Sequence, residues 1–565
     1  MSSSQQRLIL LIICVMAHGW AMFSQNIPSQ DGLKFIELAR RLEQEPAWDV
    51  IRSADQHPLY PMLVSKVHQQ MGWLSLTAAT SWRIAAQLVS FLAAIATIFP
   101  IFRISQRLFH PASANLAVFF WLVLPVPMSI GHETLSDALA LAFGLWALEL
   151  GLMTSESSGY ARKWLLAGGV GFCVSLAYWT RPEGIVIGLT ILIFWILSAC
   201  LGTAKTSLLS AKDLISMATF LIICLFSIGL YQTINGSISD RLSKFSEPSN
   251  SASIASSNLH ANMPRGLPVT LRERALDFSP KDPSREVRHP GLKAAVWQIL
   301  REWSESLCMV LGVMTLWGMV RVRCTDRNAL LLTRIYGFLV LAMLLYQASR
   351  RGYLSERHVI NLTWISLPFA AAAVSLCVKR LAEIGKVTER RRLVVSRIAL
   401  VGILLLGIWQ QSKPAHQSRL PHIMAGQWLI QNAAQGTAVF DTRGWASFES
   451  NLRRYDPNHI PQALSDSSTA FWVVEAGELS SGSARARTLN QLLSEGGQLV
   501  NRFAKERQSS GTDEDDVLLF AWKRPVNWDL KNPAMAVDTS STIGPKIDDK
   551  ILPTMFESRK EPEHR

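Results

Sequence analysis

Charge is sparse in this chain and acidic charge is the scarcer kind. Only 18% of the 565 residues are charged, and 43 Asp and Glu stand against 56 Lys and Arg, for a net charge of +13. Four stretches, 84–102, 184–204, 214–239 and 359–378, carry no charged residue at all. Each is near or above the roughly 20 apolar residues that cross a hydrocarbon core. A soluble multidomain enzyme and a disordered chain are thereby excluded. Cysteine is scarce too. The seven (14, 173, 200, 224, 308, 324, 377) fall in apolar spans or beside basic loops, so a disulfide-stapled module is excluded. No Cys/His metal spacing, Gly-rich phosphate loop, nucleotide fingerprint or Ser-His-Asp order is present. Internal repeats and lipidation motifs are also missing.

What is present is a succession of apolar spans. Hydropathy places eleven: 7–24, 84–102, 112–130, 135–153, 164–180, 184–203, 214–234, 303–320, 330–348, 358–377 and 397–411. The first resembles a signal peptide but has no small-residue cleavage site after it, so it is expected to stay as a span. Lys and Arg gather in alternate loops. With the N-terminus inside, the inner segments hold seventeen and the short outer loops four. The positive-inside bias then orients the chain N-in and C-out. Anchoring loops account for most of the surplus positive charge, so no nucleic-acid partner is expected. The expected fold is a mainly α polytopic bundle over 1–411, a small extracytoplasmic α/β domain over 412–525, and a disordered tail over 526–565. Two long outer segments, 25–83 and 235–302, interrupt the bundle.

The outer segments hold the chemistry-bearing residues. Residues 32–43 place Leu33, Ile36, Leu38 and Leu42 near one helical face and charges on the other, the pattern of an interfacial helix. Asp31 stands at or near its N-cap, where a carboxylate either caps the helix or acts as a base facing the membrane surface. His57 lies in a turn stiffened by Pro58 and Pro61, with Asp55 just before it. Its role is structural or catalytic. His132, Glu133 and Asp137 cluster between the third and fourth spans, and Glu133 and Asp137 could share one helical face. Arg181 and Glu183 sit in the Thr180-Arg181-Pro182-Glu183-Gly184 connection, as an ion pair or as an Arg offered to a phosphate. Arg350, Arg351, Arg357 and His358 put positive charge on an outer boundary, against the usual bias. That suggests either anion binding or interfacial snorkelling. The tail carries strand-like runs at 437–441, 470–474 and 517–522, with helical patterns at 423–433 and 484–495 between them.

Taken in order, these motifs resemble a family. An Asp31-Gly32 soon after the first span is followed by His57-Pro58-Leu59-Tyr60-Pro61 and Leu135-Ser136-Asp137-Ala138-Leu139. Thr180-Arg181-Pro182-Glu183-Gly184 and Glu356-Arg357-His358-Val359 come later. This order is similar to that of the GT-C glycosyltransferases, especially the bacterial dolichyl-phosphate-mannose-protein mannosyltransferase-like and lipid A aminoarabinose transferase-like groups. The resemblance covers about residues 1–410. It implies an inner-membrane enzyme that moves a sugar from a polyprenyl-phosphate carrier to a protein, lipid or cell-envelope glycan outside. It also implies Asp31 as general base, His57 as a shaping or second-base residue, and Arg181, Arg351, Arg357 and His358 as contacts to the donor phosphate. Asp55, Glu133, Asp137 and Glu183 are supporting acidic candidates. The sequence departs from the family where Gly32 replaces a second acidic residue, a place Asp49 or Asp55 could fill. It departs again where His358 follows Arg357 in place of Tyr. With one clear outer-loop Asp and no paired ligand, no metal or other cofactor is expected.

Other functions remain distinct in what they require. A transporter or flippase would show paired halves with broken helices at the midplane. An O-antigen ligase-like or polymerase-like enzyme would concentrate its site in one large late outer loop, for which 235–302 is the candidate. An anchoring protein would tolerate loss of Asp31, His57 and the arginines.

Overall fold

The computed structural model describes residues 3–200, 211–235, 291–384, 416–455, 469–480, 497–504 and 516–523, with isolated positions in 391–409 and 486–493. Most of the long outer loop, most of the span expected at 397–411 and the whole 526–565 tail lie outside the described residues.

Helix α1 (Ser3–Ser24) packs against the first long helices of the bundle. Three outer helices follow: α2 (Gln30–Gln44), α3 (Ala47–Ser53) and α4 (Leu59–Gln70). α2 is amphipathic as its sequence requires, with Leu33, Phe35, Ile36, Leu38 and Ala39 buried. Then come α5 (Ala78–Leu108), α6 (Pro111–Val123), α7 (Pro125–His132), α8 (Asp137–Glu156), α9 (Tyr160–Thr180), α10 (Gly184–Cys200) and α11 (Ala211–Asn235). After the outer loop come α12 (Leu292–Ser306), α13 (Val310–Arg321), α14 (Arg327–Arg351), a 3-10 turn (Glu356–Val359) and α15 (Ile360–Ile384). Among the described residues, five helices are long and apolar enough to span a membrane, or seven if two bent pairs each count as one.

Those bent pairs correct two expected spans. The span expected at 112–130 breaks between α6 and α7 by 64°. Leu124 is extended before Pro125, whose ring forbids a helical predecessor and whose nitrogen cannot donate to the preceding turn. The span expected at 303–320 breaks by 103° between α12 and α13. There Cys308 and Met309 take positive φ angles of 51° and 54°. α12 is tied to α15 by Trp303 Nε1 donating to Ser366 Oγ at 3.0 Å.

Side-chain hydrogen bonds fasten the ends of the bundle. At the end carrying the outer helices, Tyr60 of α4 donates to the Ala86 carbonyl at 2.9 Å, and Ser90 donates to the Leu135 carbonyl at 3.0 Å. At the other end, Arg103 and Arg107 close on the buried carboxylate of Glu149, and Arg107 also pairs with Glu156. Thr325 seals that end by donating from its backbone to the Leu108 carbonyl at 2.9 Å.

The C-terminal part adds α16 (Leu420–Asn432), β1 (Ala438–Asp441), α17 (Trp445–Ser450), β2 (Thr469–Glu475), α18 (Ala476–Ser480), β3 (Gly497–Phe503) and β4 (Val517–Lys523). The sheet order is β1-β2-β4-β3, parallel between β1 and β2 and antiparallel elsewhere. Three of these strands match the expected runs. β3 lies at an edge with Gln498, Leu499 and Val500 exposed and an irregular register at Leu499/Asn501, so its sequence shows no clear alternation. The domain sits on the bundle, with Trp445 and Phe448 of α17 buried in the same apolar core as α2 and α5.

Candidate functional site

Asp31 is the second residue of α2, not its cap. Ser29 is the N-cap, its hydroxyl accepting the Gly32 N–H at 3.0 Å. The carboxylate is thus released from capping and points to a partner far along the chain. Arg357 Nη2 donates to Asp31 Oδ2 at 2.5 Å, and Lys34 donates to Oδ1 at 3.4 Å. Burial opposes ionisation of Asp31. The Arg357 hydrogen bond and charge, with Lys34, outweigh it and hold the carboxyl below its ordinary range.

Arg357 also lines an open pocket of about 550 Å³, counting the space that opens to solvent. Its polar wall contains Asp137, Arg181, Glu183, Gln347, His358 and Asn361. Arg181 follows the last turn of α9 and donates to Asp137 Oδ1 at 2.6 Å and to Glu183 at 3.3 Å. Burial disfavours the Glu183 carboxylate, but Arg181 more than compensates and brings it down to about 2. His358 is fixed in the 3-10 turn. Its Nδ1 accepts the Ser355 N–H at 3.1 Å, so the proton of the neutral ring resides on Nε2. The pocket therefore gathers two guanidiniums, two carboxylates and an imidazole at one end of the bundle, with Asp31 joined to it through Arg357.

Other expected residues lie elsewhere. His57 is buried, stacked on Tyr231 of α11 (ring centroids 5.0 Å apart) and edge-on to Tyr178 of α9 (5.4 Å). It does not line this pocket. Asp55 is exposed in the turn before it. Glu133 and Asp137 do not share a helical face. Glu133 ends α7 and faces His416 at 3.7 Å, while Asp137 begins α8 and faces Arg181. The Arg351 side chain lies outside the described residues.

The sequence reading missed the wall contributed by α14 and α15. Tyr336, Met343 and Gln347 line the pocket from α14, spaced seven and four apart on one helical face. Tyr336 donates its hydroxyl to Asn361 Oδ1 at 2.9 Å. The available signal was polar side chains repeated on one face of an apolar span. Among the described residues, no three His, Cys, Asp or Glu gather as a metal site.

Gly32 explains one departure noted from the sequence. A Cβ placed there would lie 1.7 Å from Thr134 Oγ1. The loop after α7 is packed directly under α2, and no side chain, acidic or otherwise, fits at this position.

Comparison with known proteins bears on what this geometry belongs to. Residues 68–228 match the dolichyl-phosphate-mannose-protein mannosyltransferase family. No curated protein sequence matches significantly. ArnT from Cupriavidus metallidurans, crystallised with undecaprenyl phosphate, superposes with a TM-score of 0.57 at 11% identity, covering 92% of this chain and 98% of that one. Its apo structure gives 0.57 at 12% identity over the same shares. The apo oligosaccharyltransferase of Archaeoglobus fulgidus reaches 0.49 at 12% identity, over 89% of this chain and 74% of that one. The chain thus carries the mannosyltransferase family's signature over residues 68–228 and shares the fold of ArnT over nearly its whole length.

Proposed function

We propose that the chain is a polyprenyl-phosphate-dependent glycosyltransferase that transfers a hexosyl or pentosyl group, with inversion, to an acceptor outside the inner membrane. The observation that carries this reading is the convergence of Arg181 and Arg357 from separate segments on one pocket at one end of the bundle, with Asp31 joined to it through Arg357. ArnT, which shares the fold, was crystallised with undecaprenyl phosphate. Acidic and guanidinium groups in these positions suit a donor whose leaving group is a phosphate.

The proposed reaction proceeds as follows. The acceptor O–H gives its proton to the Asp31 carboxylate as its oxygen bonds to the anomeric carbon. The bond from that carbon to the carrier phosphate breaks on the opposite side, and its electron pair leaves with the phosphate. Arg181 and Arg357 meet the charge as it develops, the setting in which fixed cations contribute most. Arg357 holds Asp31 in place. The guanidinium gives one of its five N–H donors to Asp31, so the others are left to meet the phosphate while the base stays in place. His358, with its proton on Nε2, is a second donor to the phosphate. His57 shapes the neighbouring aromatic packing. The reaction as drawn uses no metal, and activity that persists in EDTA is the expected result.

The termini follow the charge bias, with the N-terminus cytoplasmic and the C-terminal domain outside. Asp31→Asn at equal expression tests the function. Membranes are supplied with a panel of radiolabelled polyprenyl-phosphate sugars. Transfer by wild type that falls roughly 10²–10⁴-fold in the variant, with donor binding retained, is expected for loss of a general base. Equal transfer by both would remove Asp31 from that role.

A further inference from the structure

Helix α2, which carries Asp31, is held at both ends by the C-terminal domain. Just before it, the Pro28 carbonyl accepts a hydrogen bond from Trp445 Nε1 at 2.9 Å and a longer one from Arg419 at 3.4 Å. Trp445 is 4% exposed, and its ring lies 4.6 Å from the Arg419 guanidinium. About two and a half turns beyond Asp31, the Arg40 guanidinium packs against two rings: Phe448 of α17 at 5.1 Å and Trp82 of α5 at 5.7 Å. Arg40 Nε and Nη2 are buried and make no hydrogen bond within the described residues. The two rings, together with the charge of Glu37 on the same helix, hold this cation, and a desolvated cation over aromatic faces is a sizeable attraction.

The clamp is rigid on the domain side. α17 is a single short helix, and its start is fixed by the buried Asp441 at the end of β1. Asp441 accepts the N–H groups of Arg443 at 3.0 Å, Gly444 at 2.7 Å and Ser447 at 2.9 Å. The sheet thus sets where Trp445 and Phe448 stand, and they set where α2 stands. The 2.5 Å contact between Asp31 and Arg357 depends on that placement. A base displaced by about 1 Å can lose on the order of a hundredfold in rate, even when the change is remote from the chemistry.

We propose that the C-terminal domain is a working part of the transfer site, in which Trp445 and Arg40 are positioning residues that clamp α2 and hold Asp31 against Arg357. This rests on Asp31 being the base.

The test uses the full chain in lipid nanodiscs, comparing wild type with Trp445→Phe, Arg40→Met and Arg40→Lys. Three quantities are measured: amide exchange across residues 30–36, kcat and donor KM for transfer, and the acid limb of the pH–rate profile. Trp445→Phe and Arg40→Met are expected to speed exchange in α2. They should lower kcat roughly 10- to 100-fold with donor KM unchanged. They should also move the acid limb upward, because Asp31 loses contact with Arg357. The groups facing Asp31 are Lys34 on its own helix and Arg357 from the turn, with Arg181 and the domain's Arg419 in electrostatic reach. Arg40→Lys, which keeps a stacked cation, should recover much of the rate. Unchanged exchange in α2, or a loss confined to KM, overturns the clamp. If Trp445→Phe does not fold, Arg40→Met decides alone. Asp31→Asn is run alongside. Full transfer by that variant removes the base assignment, whereas unchanged exchange in α2 removes the clamp, so the two failures are separable.

Discussion

Arg357 holds Asp31 through one of its N–H donors, and this contact has a pH signature. In the free protein the Asp31 carboxyl lies below its ordinary range because the opposed burial is outweighed by Arg357 and Lys34. The base must be ionised to act, and kcat/KM reports the free enzyme. Activity in kcat/KM is therefore retained above the ordinary Asp pKa of about 3.9 and lost only as pH falls through the lowered value. Replacing Arg357 with Gln leaves burial less opposed, so the acid limb is expected to move up, alongside a large loss of rate. A limb that stays in place when Arg357 is replaced would dissociate Asp31 from the profile. Arg181 poses a different question, since it both stabilises and, on the proposed reading, binds phosphate. Its partner Asp137 has a side chain only 6% exposed. Arg181→Gln strands that carboxylate and is expected to cost about 3–5 kcal/mol, the usual penalty for breaking a buried pair. The triple variant Arg181→Gln/Asp137→Asn/Glu183→Gln, which leaves neither partner carboxylate stranded, should recover most of the thermal stability in detergent while transfer stays lost. Recovery of both would make Arg181 purely structural.

At the scale of elements, the placement of α2 decides whether the site exists. α2 sits on the loop after α7 with no room for a β-carbon at Gly32, because Thr134 fills the space. The next residue is tied to the bundle, its Leu135 carbonyl accepting from the Ser90 hydroxyl of α5. Gly32→Ala is expected to destabilise by about 1–3 kcal/mol through overpacking and to lower transfer by displacing Asp31. Thr134→Gly in the same chain should restore part of both, as read by thermal unfolding and transfer rate. No rescue would mean that the glycine is needed for another reason. This contact also marks the limit of what the sequence discloses. α2 and α4 were legible because one-sided apolar periodicity is a local property. The motif residues Arg181, Asp137, Arg357 and His358 were legible because charge at a membrane boundary is costly and stands out. The pairing of Asp31 with Arg357, 326 residues apart, was not legible, since nothing local encodes it. The breaks at Pro125 and Met309 illustrate the same divide. Proline announces the first, whereas two residues of ordinary propensity make the second through tertiary packing.

For the whole molecule, the two ends of the bundle differ in chemistry, and that difference should match the sides of the membrane. α8 begins at Asp137, beside Arg181 and the pocket, and ends at Glu156, paired with Arg107. Arg103, Arg107 and Lys163 thus share the end away from Asp31, together with the Thr325 seal. These basic groups belong to the loops whose surplus of Lys and Arg fixes orientation by the positive-inside bias. The proposed topology then places Ser158, exposed between α8 and α9, in the cytoplasm. The same proposed topology places Ser418, exposed just before α16, outside. Cys200 and Cys308 are the exposed cysteines among the described residues and are first replaced by Ser. In intact spheroplasts, a membrane-impermeant maleimide should label Ser418→Cys at once. It should label Ser158→Cys only after the membrane is permeabilised. Reversed labelling would place the pocket on the cytoplasmic face. The acceptor would then have to be cytoplasmic, and the sugar carrier would have to present its head group on that leaflet.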